Sequence, residues 1–344
     1  MTEFMEIDGS FGEGGGQILR SSLTLSLVTG RPLRIVNIRS KRKNPGLLRQ
    51  HLAAVGAARQ VGRAETSGEE LGSTRLEFIP TGLFGGEYSF QIGSAGSATL
   101  VLQTILPALA LAPTPSMVRG AGGTDNPLAP PFDHLAQTFL PLFNRMGPNV
   151  SLELDRHGFF PAGGGELTAR ITPCENLTRL ELEHRGKIER AEAKILSAHL
   201  PESVAEREKR ELIERTGWPS ERVSLERVDS VGPGNVVLIS ARSASITETF
   251  SAFGKLGVPA ERVASSAFKQ YERYLHFDAP VGEYTADQLI LPMSLAAWQG
   301  NGGSALRTLP LTEHSRTHLA LVERFLGIRA QITTEPTGIV RLLW

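Results

Sequence analysis

A tight turn that runs into a mostly apolar helix recurs along this chain, and the recurrence constrains the fold more than any other feature. Gly16 opens GQILRSSLTLSLVTG, Gly96 opens GSATLVLQTILPALALA and Ala286 opens ADQLILPMSLAAWQG. Each run has polar residues near its start and apolar residues on most faces, the pattern of a helix buried between layers. A short strand and a more amphipathic helix follow each run: 33–38 and 45–62, 116–120 and 130–147, 305–310 and 312–327. Two strand-like runs close each copy, at 64–69 and 74–79, 149–156 and 165–171, 329–334 and 338–343. Pro, Asn or Gly stands at most of the breaks. The spacing predicts an α/β (α+β) chain of three β-α-β-α-β-β repeats.

The third copy is delayed by residues 181–277, which carry their own strand candidates (188–197, 222–228, 235–241, 245–250) and helix candidates (202–216, 259–274). A repeat interrupted at a loop reads as an inserted domain, because domains insert at exposed loops. The expected division is therefore 1–180 with 278–344 as the three-repeat body, and 181–277 as a small inserted α/β domain. The 36 glycines are clustered at turns rather than spread through a linker. Formal net charge is +0, which argues against a generic electrostatic binder of DNA or membranes. The single cysteine, Cys174, excludes an intramolecular disulfide framework and a thiolate metal cluster. The N-terminal MTEFMEIDG lacks the features of a signal peptide, and the longest apolar stretch, 100–113, is too short to span a bilayer. The expectation is a cytoplasmic protein with no membrane association.

Four segments have the residue types for chemistry. The turn at 12–17 offers Glu13 and Gln17, followed by Arg20. Backbone N–H groups at a helix start bind anions, glycine lets a phosphate approach closely, and a carboxylate there suits a divalent cation. The same glycines also suit a plain turn, and they match neither the dinucleotide fingerprint nor the Walker pattern. Residues 31–63 hold nine Lys or Arg and no Asp or Glu. Arg39, Lys41, Arg42 and Lys43 fall on a strand-to-helix connection, with Arg49, Gln50 and His51 in the next helix. Forked guanidinium groups there point to phosphate or nucleic acid rather than to a merely solvated face. His314 and His318 stand at i, i+4 spacing, which alone would permit shared metal ligation, but no third ligand is visible. In EYTADQLILP (283–292), Tyr284, Asp287 and Gln288 could hold a nucleoside, or Asp287 could simply cap the helix. No G-x-S-x-G elbow is present. Composition and spacing stop at a three-repeat α/β protein with a phosphate-binding character near its first repeat.

Specific words carry the reading further. GEGGGQILRSSL, KRKNPGLLRQHL, IGSAGSATLVLQTILPAL, GGTDNPLAPPFD, RHGFFPAGGGE, VGPGN and VGEYTADQLILPMSLA run in order over nearly the whole chain. They closely resemble the RNA 3′-terminal phosphate cyclase family. The resemblance implies three repeats like the C-terminal domain of translation initiation factor three, plus one inserted α/β domain. It implies ATP-dependent conversion of an RNA 3′-phosphate to a 2′,3′-cyclic phosphate through an adenylylated histidine. Counting back from VERFL, His314 falls on the nucleophile position, and His318 falls where the family tolerates other residues. The resemblance places Glu13 at a divalent metal, Mg²⁺ or Mn²⁺. It places Arg20, Arg39, Arg42 and Gln50 at the phosphate or RNA end. Gln103 and Tyr284, Thr285, Ala286, Asp287 and Gln288 fall at ATP. The implied partner is an RNA with a 3′-terminal phosphate; the oligomeric state stays open. A non-catalytic ribosome-biogenesis scaffold of the same family and an enolpyruvyl-transferase-like enzyme are the alternatives.

Overall fold

The computed structural model describes residues 3–344. Three of its four sheets repeat one topology. In the first repeat, β1 (Met5–Asp8) pairs parallel with β2 (Leu33–Val36), which pairs antiparallel with β4 (Leu76–Ile79), and β4 with β3 (Glu65–Ser67). The second has the same order in β5 (Glu87–Gln91), β6 (Ser116–Gly122), β8 (Gly165–Thr172) and β7 (Asn149–Arg156). The third has it in β9 (Glu181–Leu182), β14 (Ala305–Thr308), β16 (Val340–Leu343) and β15 (Gln331–Thr334). A parallel pair needs a crossover connection, and in each repeat that crossover is the apolar helix seen in the sequence. These are α1 (Gly16–Thr29), α3 (Ala98–Leu109) and α8 (Glu283–Trp298), and all three contribute to one continuous core.

The second helices are α2 (Arg49–Gly62), α9 (Glu313–Leu326) and a composite in the middle repeat. That composite runs from α4 (Phe132–His134) through a π-helical turn, Leu135–Phe139, into α5 (Leu140–Asn144). Helix α2 starts later than the expected residue 45. Residues 46 and 47 donate to Ile38 O and Ser73 O, so this stretch is pinned as a loop before the helix begins. The insert forms its own sheet, β11-β10-β12-β13, from β10 (Ile188–Ala198), β11 (Val223–Arg227), β12 (Gly234–Ser243) and β13 (Thr247–Phe253). Helices α6 (Glu202–Thr216) and α7 (Ala260–His276) pack on it around a separate core. The expected start of the insert at 181 falls inside the third sheet, because Glu181 and Leu182 pair with Ala305 and Leu306. The extra sheet therefore interrupts the third repeat between its first strand and its first helix.

Two glycines separate packing from propensity. A Cβ on Gly158 would lie 2.4 Å from Gly165 N and 2.5 Å from Gly122 O, backbone atoms that cannot swing aside. Gly56 lies inside α2, where a Cβ would meet only Glu69 Oε1, at 3.5 Å. Gly158→Ala should cost about 2 kcal/mol. Gly56→Ala should gain about 0.5–1 kcal/mol. Opposite shifts of the denaturant midpoint would bear this out; a tolerated Gly158→Ala would show that the two strands can part.

Candidate active site

The three repeats meet at the start of α1. Its N-cap, Gly15, brings no side-chain acceptor, so the first-turn N–H groups are left for an anion. Gly12 has φ +52, and a Cβ there would sit 2.3 Å from Thr317 Oγ1 on α9. That same hydroxyl accepts from Glu13 N–H at 3.1 Å, so the glycine turn is docked on α9. The Glu13 carboxylate is ion-paired with Arg42, which also donates to Glu13 O at 3.0 Å.

Gln17, the second residue of α1, organises the histidines. Its Nε2 donates to Asp287 Oδ1 at 2.7 Å, which fixes the amide orientation. Its Oε1 therefore faces His314 Nδ1 at 3.2 Å, and an amide oxygen can only accept. The proton of His314 is thereby held on Nδ1, and Nε2 keeps its lone pair. Glu13 Oε2 lies 3.6 Å from the same Nδ1. Burial lowers the His314 pKa below 6.5, with Arg20, Arg42 and His318 acting the same way and Asp287 opposing. His318 is buried instead. Its Nδ1 donates to Asp287 O at 3.1 Å and its Nε2 meets Ser21 Oγ at 3.0 Å, so both ring nitrogens are engaged. Burial would raise the Asp287 pKa, but His318 and Gln17 outweigh it and hold the carboxyl below its ordinary value.

A second polar chain crosses the repeats. Gln103 Nε2 donates to Gln288 Oε1 at 2.7 Å, and Gln288 Nε2 meets His134 Nε2 at 3.0 Å. His134 Nδ1 lies 3.3 Å from Thr249 O, a carbonyl that can only accept, so Nε2 is the acceptor for Gln288. Gln103 and Gln288 occupy matching places in α3 and α8, each four residues before a helix proline, Pro107 and Pro292. Tyr284 is 60% exposed in the first turn of α8, whereas Thr285 and Ala286 are fully buried. Helix α8 begins at Glu283, so Asp287 lies beyond its first turn and does not cap it.

Between these chains is a recess of about 90 Å³ lined by Gln17, Arg20, Gln103, Asp287, Gln288 and His318 among others. Burial lowers the Arg20 pKa to about 10, against the pull of Asp287. Arg39 is placed differently: its Nη1 donates to Asn44 O and Gly46 O and ties down the basic loop. Gln50 Oε1 accepts from Ser97 N–H at 2.7 Å, joining α2 to the start of α3. Next to it, His51 Nδ1 accepts from Leu48 N–H at 3.0 Å, so its proton sits on Nε2, which faces Gly16. Burial, Arg20 and Arg39 push the His51 pKa down to about 3, making the ring an uncharged donor beside the α1 terminus.

The structure thus gathers Glu13, Arg20, Arg42, Gln103, Asp287, Gln288 and His314 around one mouth. It gives Arg39, Gln50 and Thr285 to internal bonds and Ala286 to the core. Sequence reasoning did not single out Thr317, His134 or Glu248, whose partners are far away in the chain. Thr317 had a weak signal, lying on the His314 face of α9 at i+3. Among the described residues, no group of three or more His, Cys, Asp or Glu could hold a metal by itself. No described helix is long and apolar enough to cross a membrane.

Known proteins match this chain along its length. The RNA 3′-terminal phosphate cyclase family profile covers residues 11–332. The RNA 3′-terminal phosphate cyclase of Ectopseudomonas mendocina (strain ymp) is 47% identical over 341 residues, 99% of this chain and 98% of that protein. That of Pseudomonas fluorescens is 50% identical over 330 residues, 96% and 94% of the two chains. Superposition on the enolpyruvyl transferase NikO from Streptomyces tendae gives a TM-score of 0.38 at 10% identity over 99% of this chain and 48% of that one, too loose to bear on the fold. With the family words spread across all three repeats and relatives matched end to end, the chain belongs to the RNA 3′-terminal phosphate cyclase family.

Proposed function

We infer that this protein is an ATP-dependent RNA 3′-terminal phosphate cyclase, acting in the cytoplasm, with His314 as its nucleophile. The observation that carries the assignment is the half-exposed His314 ring, whose Nδ1 proton is fixed by Gln17 while Nε2 stays open. Nε2 attacks the α-phosphorus of ATP, the P–O bond to pyrophosphate breaks, and a histidinyl-AMP forms. The ring becomes cationic on attack, and the Glu13 carboxylate beside Nδ1 faces that charge. An oxygen of the RNA 3′-phosphate then displaces the histidine from the AMP phosphorus, giving an RNA-ppA end. The neighbouring 2′-OH attacks the 3′-phosphorus, loses its proton and expels AMP. This last step is intramolecular and gains from effective molarity. It also requires a ribose at the terminal nucleotide.

Arg20 and Arg42 meet phosphate charge, and the open α1 terminus supplies backbone donors. Tyr284 offers its ring face to the adenine, and Gln103, Asp287 and Gln288 line the approach. The recess is lined by side chains of all three repeats, and part of the nucleotide enters it. A single carboxylate suits a hard divalent cation that shares its shell with phosphate oxygens. Glu13 would hold such an ion, Mg²⁺ or Mn²⁺, which would neutralise triphosphate charge.

Labelling tests the assignment. After incubation with α-phosphate-labelled ATP and a divalent metal, acid-labile label should remain on the denatured wild type. It should disappear in His314→Ala but persist in His318→Ala. Loss in His318→Ala alone would move the nucleophile by one helical turn, and an unlabelled wild type would point to the non-catalytic branch. Gln17→Ala should label about a hundredfold more slowly, because the ring loses its fixed tautomer and orientation. Arg42→Ala should impair reaction with RNA 3′-phosphate far more than folding; unchanged turnover would remove Arg42 from the site.

The pH profile has a definite sign. His314 is a nucleophile only when unprotonated, and its pKa lies below 6.5. The labelling rate should stay flat as pH falls from 8 to 7 and decline only below 6.5. A decline starting above 7 would contradict the half-buried, cation-facing environment of the ring.

A further inference from the structure

Helix α8 starts on a residue that cannot cap it. The N-cap is Gly282, and no side chain at that position accepts from the first turn. The acceptor comes from the inserted domain. Glu248 on β13 accepts from Gly282 N–H through Oε2 at 3.0 Å and from the Thr285 hydroxyl through Oε1. Its carboxylate is 2% exposed, and a Cβ on Gly282 would come within 3.0 Å of Oε1. The capping glycine and the borrowed carboxylate therefore fit each other. A carboxylate at a helix N-terminus also meets the positive end of the helix dipole.

Neighbouring contacts from the insert converge on the same turn. Arg273 on α7 bonds Glu283 at 2.9 Å. The Tyr274 hydroxyl donates to Pro280 O at 2.8 Å, fixing the approach to the helix. The carbonyl of Thr249, next to Glu248, anchors His134, which holds the Gln288 amide. Burial outweighs the bonds to Gly282 and Thr285 and pushes the Glu248 pKa up to about 7, so the carboxyl is kept in this place at a cost and is not incidental filling. Thr285, the residue it grips, stands between Tyr284 and Asp287.

We propose that Glu248 is a positioning residue through which the inserted domain holds the first turns of α8, so that Tyr284, Asp287 and Gln288 meet ATP in fixed register. This rests on the reading of 284–288 as the ATP-binding segment. The insert is then a structural wall of the nucleotide site, although none of its side chains need touch the nucleotide.

Equilibrium binding to the full chain tests the idea, with ATP and a 3′-phosphorylated RNA oligonucleotide as separate probes. Glu248→Ala should weaken ATP binding about tenfold, the scale of a lost helix cap, while RNA affinity stays within about twofold. Glu248→Gln should restore ATP binding to within about threefold, because its amide oxygen can take the Gly282 N–H and its amino group can donate to Thr285. Equal losses for ATP and RNA together with a lower Tm would reduce Glu248 to general support and overturn the proposal. Wild-type ATP binding in Glu248→Ala beside weakened binding in Gln288→Ala would also overturn it, leaving the ATP-site reading intact. Wild-type ATP binding in both Gln288→Ala and Tyr284→Ala would instead remove the reading beneath it. Should Glu248→Ala fail to fold, Thr285→Val removes one of the two bonds at constant shape. It should weaken ATP binding about threefold, and no change there would sink the proposal.

Discussion

One amide holds the half-exposed ring of His314 in register. Gln17 on the first helix bonds Asp287, 270 residues away, and His314, 297 residues away. A buried amide has to satisfy a donor and an acceptor that are not interchangeable, so the amide also dictates which nitrogen of His314 carries the proton. Around it, His318 and Ser21 brace Asp287, and Thr317 braces the glycine turn. The His314 ring sits at the exposed end of a network in which Gln17, Ser21, Thr317 and His318 are buried. In the proposed reaction, a nucleophile held this way would need no separate base to unmask its lone pair.

The three repeats are equivalent in topology but not in use. At the place where α3 and α8 carry Gln103 and Gln288, α1 carries Ser21, and the three side chains have diverged into different roles. The two glutamines meet each other, while the serine meets His318. Near-symmetric packing of apolar helices brings three helix starts to one place, and the polar residues at those starts break the symmetry into a glutamine side and a histidine side. The hydrophobic core can stay repetitive because its requirement is volume, whereas the polar positions answer to directional bonds.

The repeat and the insert's helices were legible because burial leaves a period in the sequence. Helix 202–216 appears with those bounds. The two-residue strand β9 was not legible, since a run that short has no period, and the boundary at 181 was misplaced for that reason. The start of α2 was set by backbone bonds from residues 46 and 47 to distant loops, which propensity does not encode. At the site, spacing paired His314 with His318 but did not rank them. The resemblance ranked them, and in the structure they differ: one ring is open and the other is engaged at both nitrogens. Glu248 and His134 were invisible because each acts on a partner in another repeat or another domain.

The position of the inserted sheet bears on how such a chain assembles. Leu182 pairs with Leu306, and Val281 bridges to Thr308, so the two ends of the insertion arrive side by side on β14. A disordered connection of about a hundred residues would cost about 4 kcal/mol to close. A folded insert brings its ends together beforehand and removes most of that entropy loss. The third repeat, with the histidine helix in its second half, is then the last to close during synthesis. The body can bury its first two repeats early, whereas the surroundings of His314 are completed only when this C-terminal repeat closes.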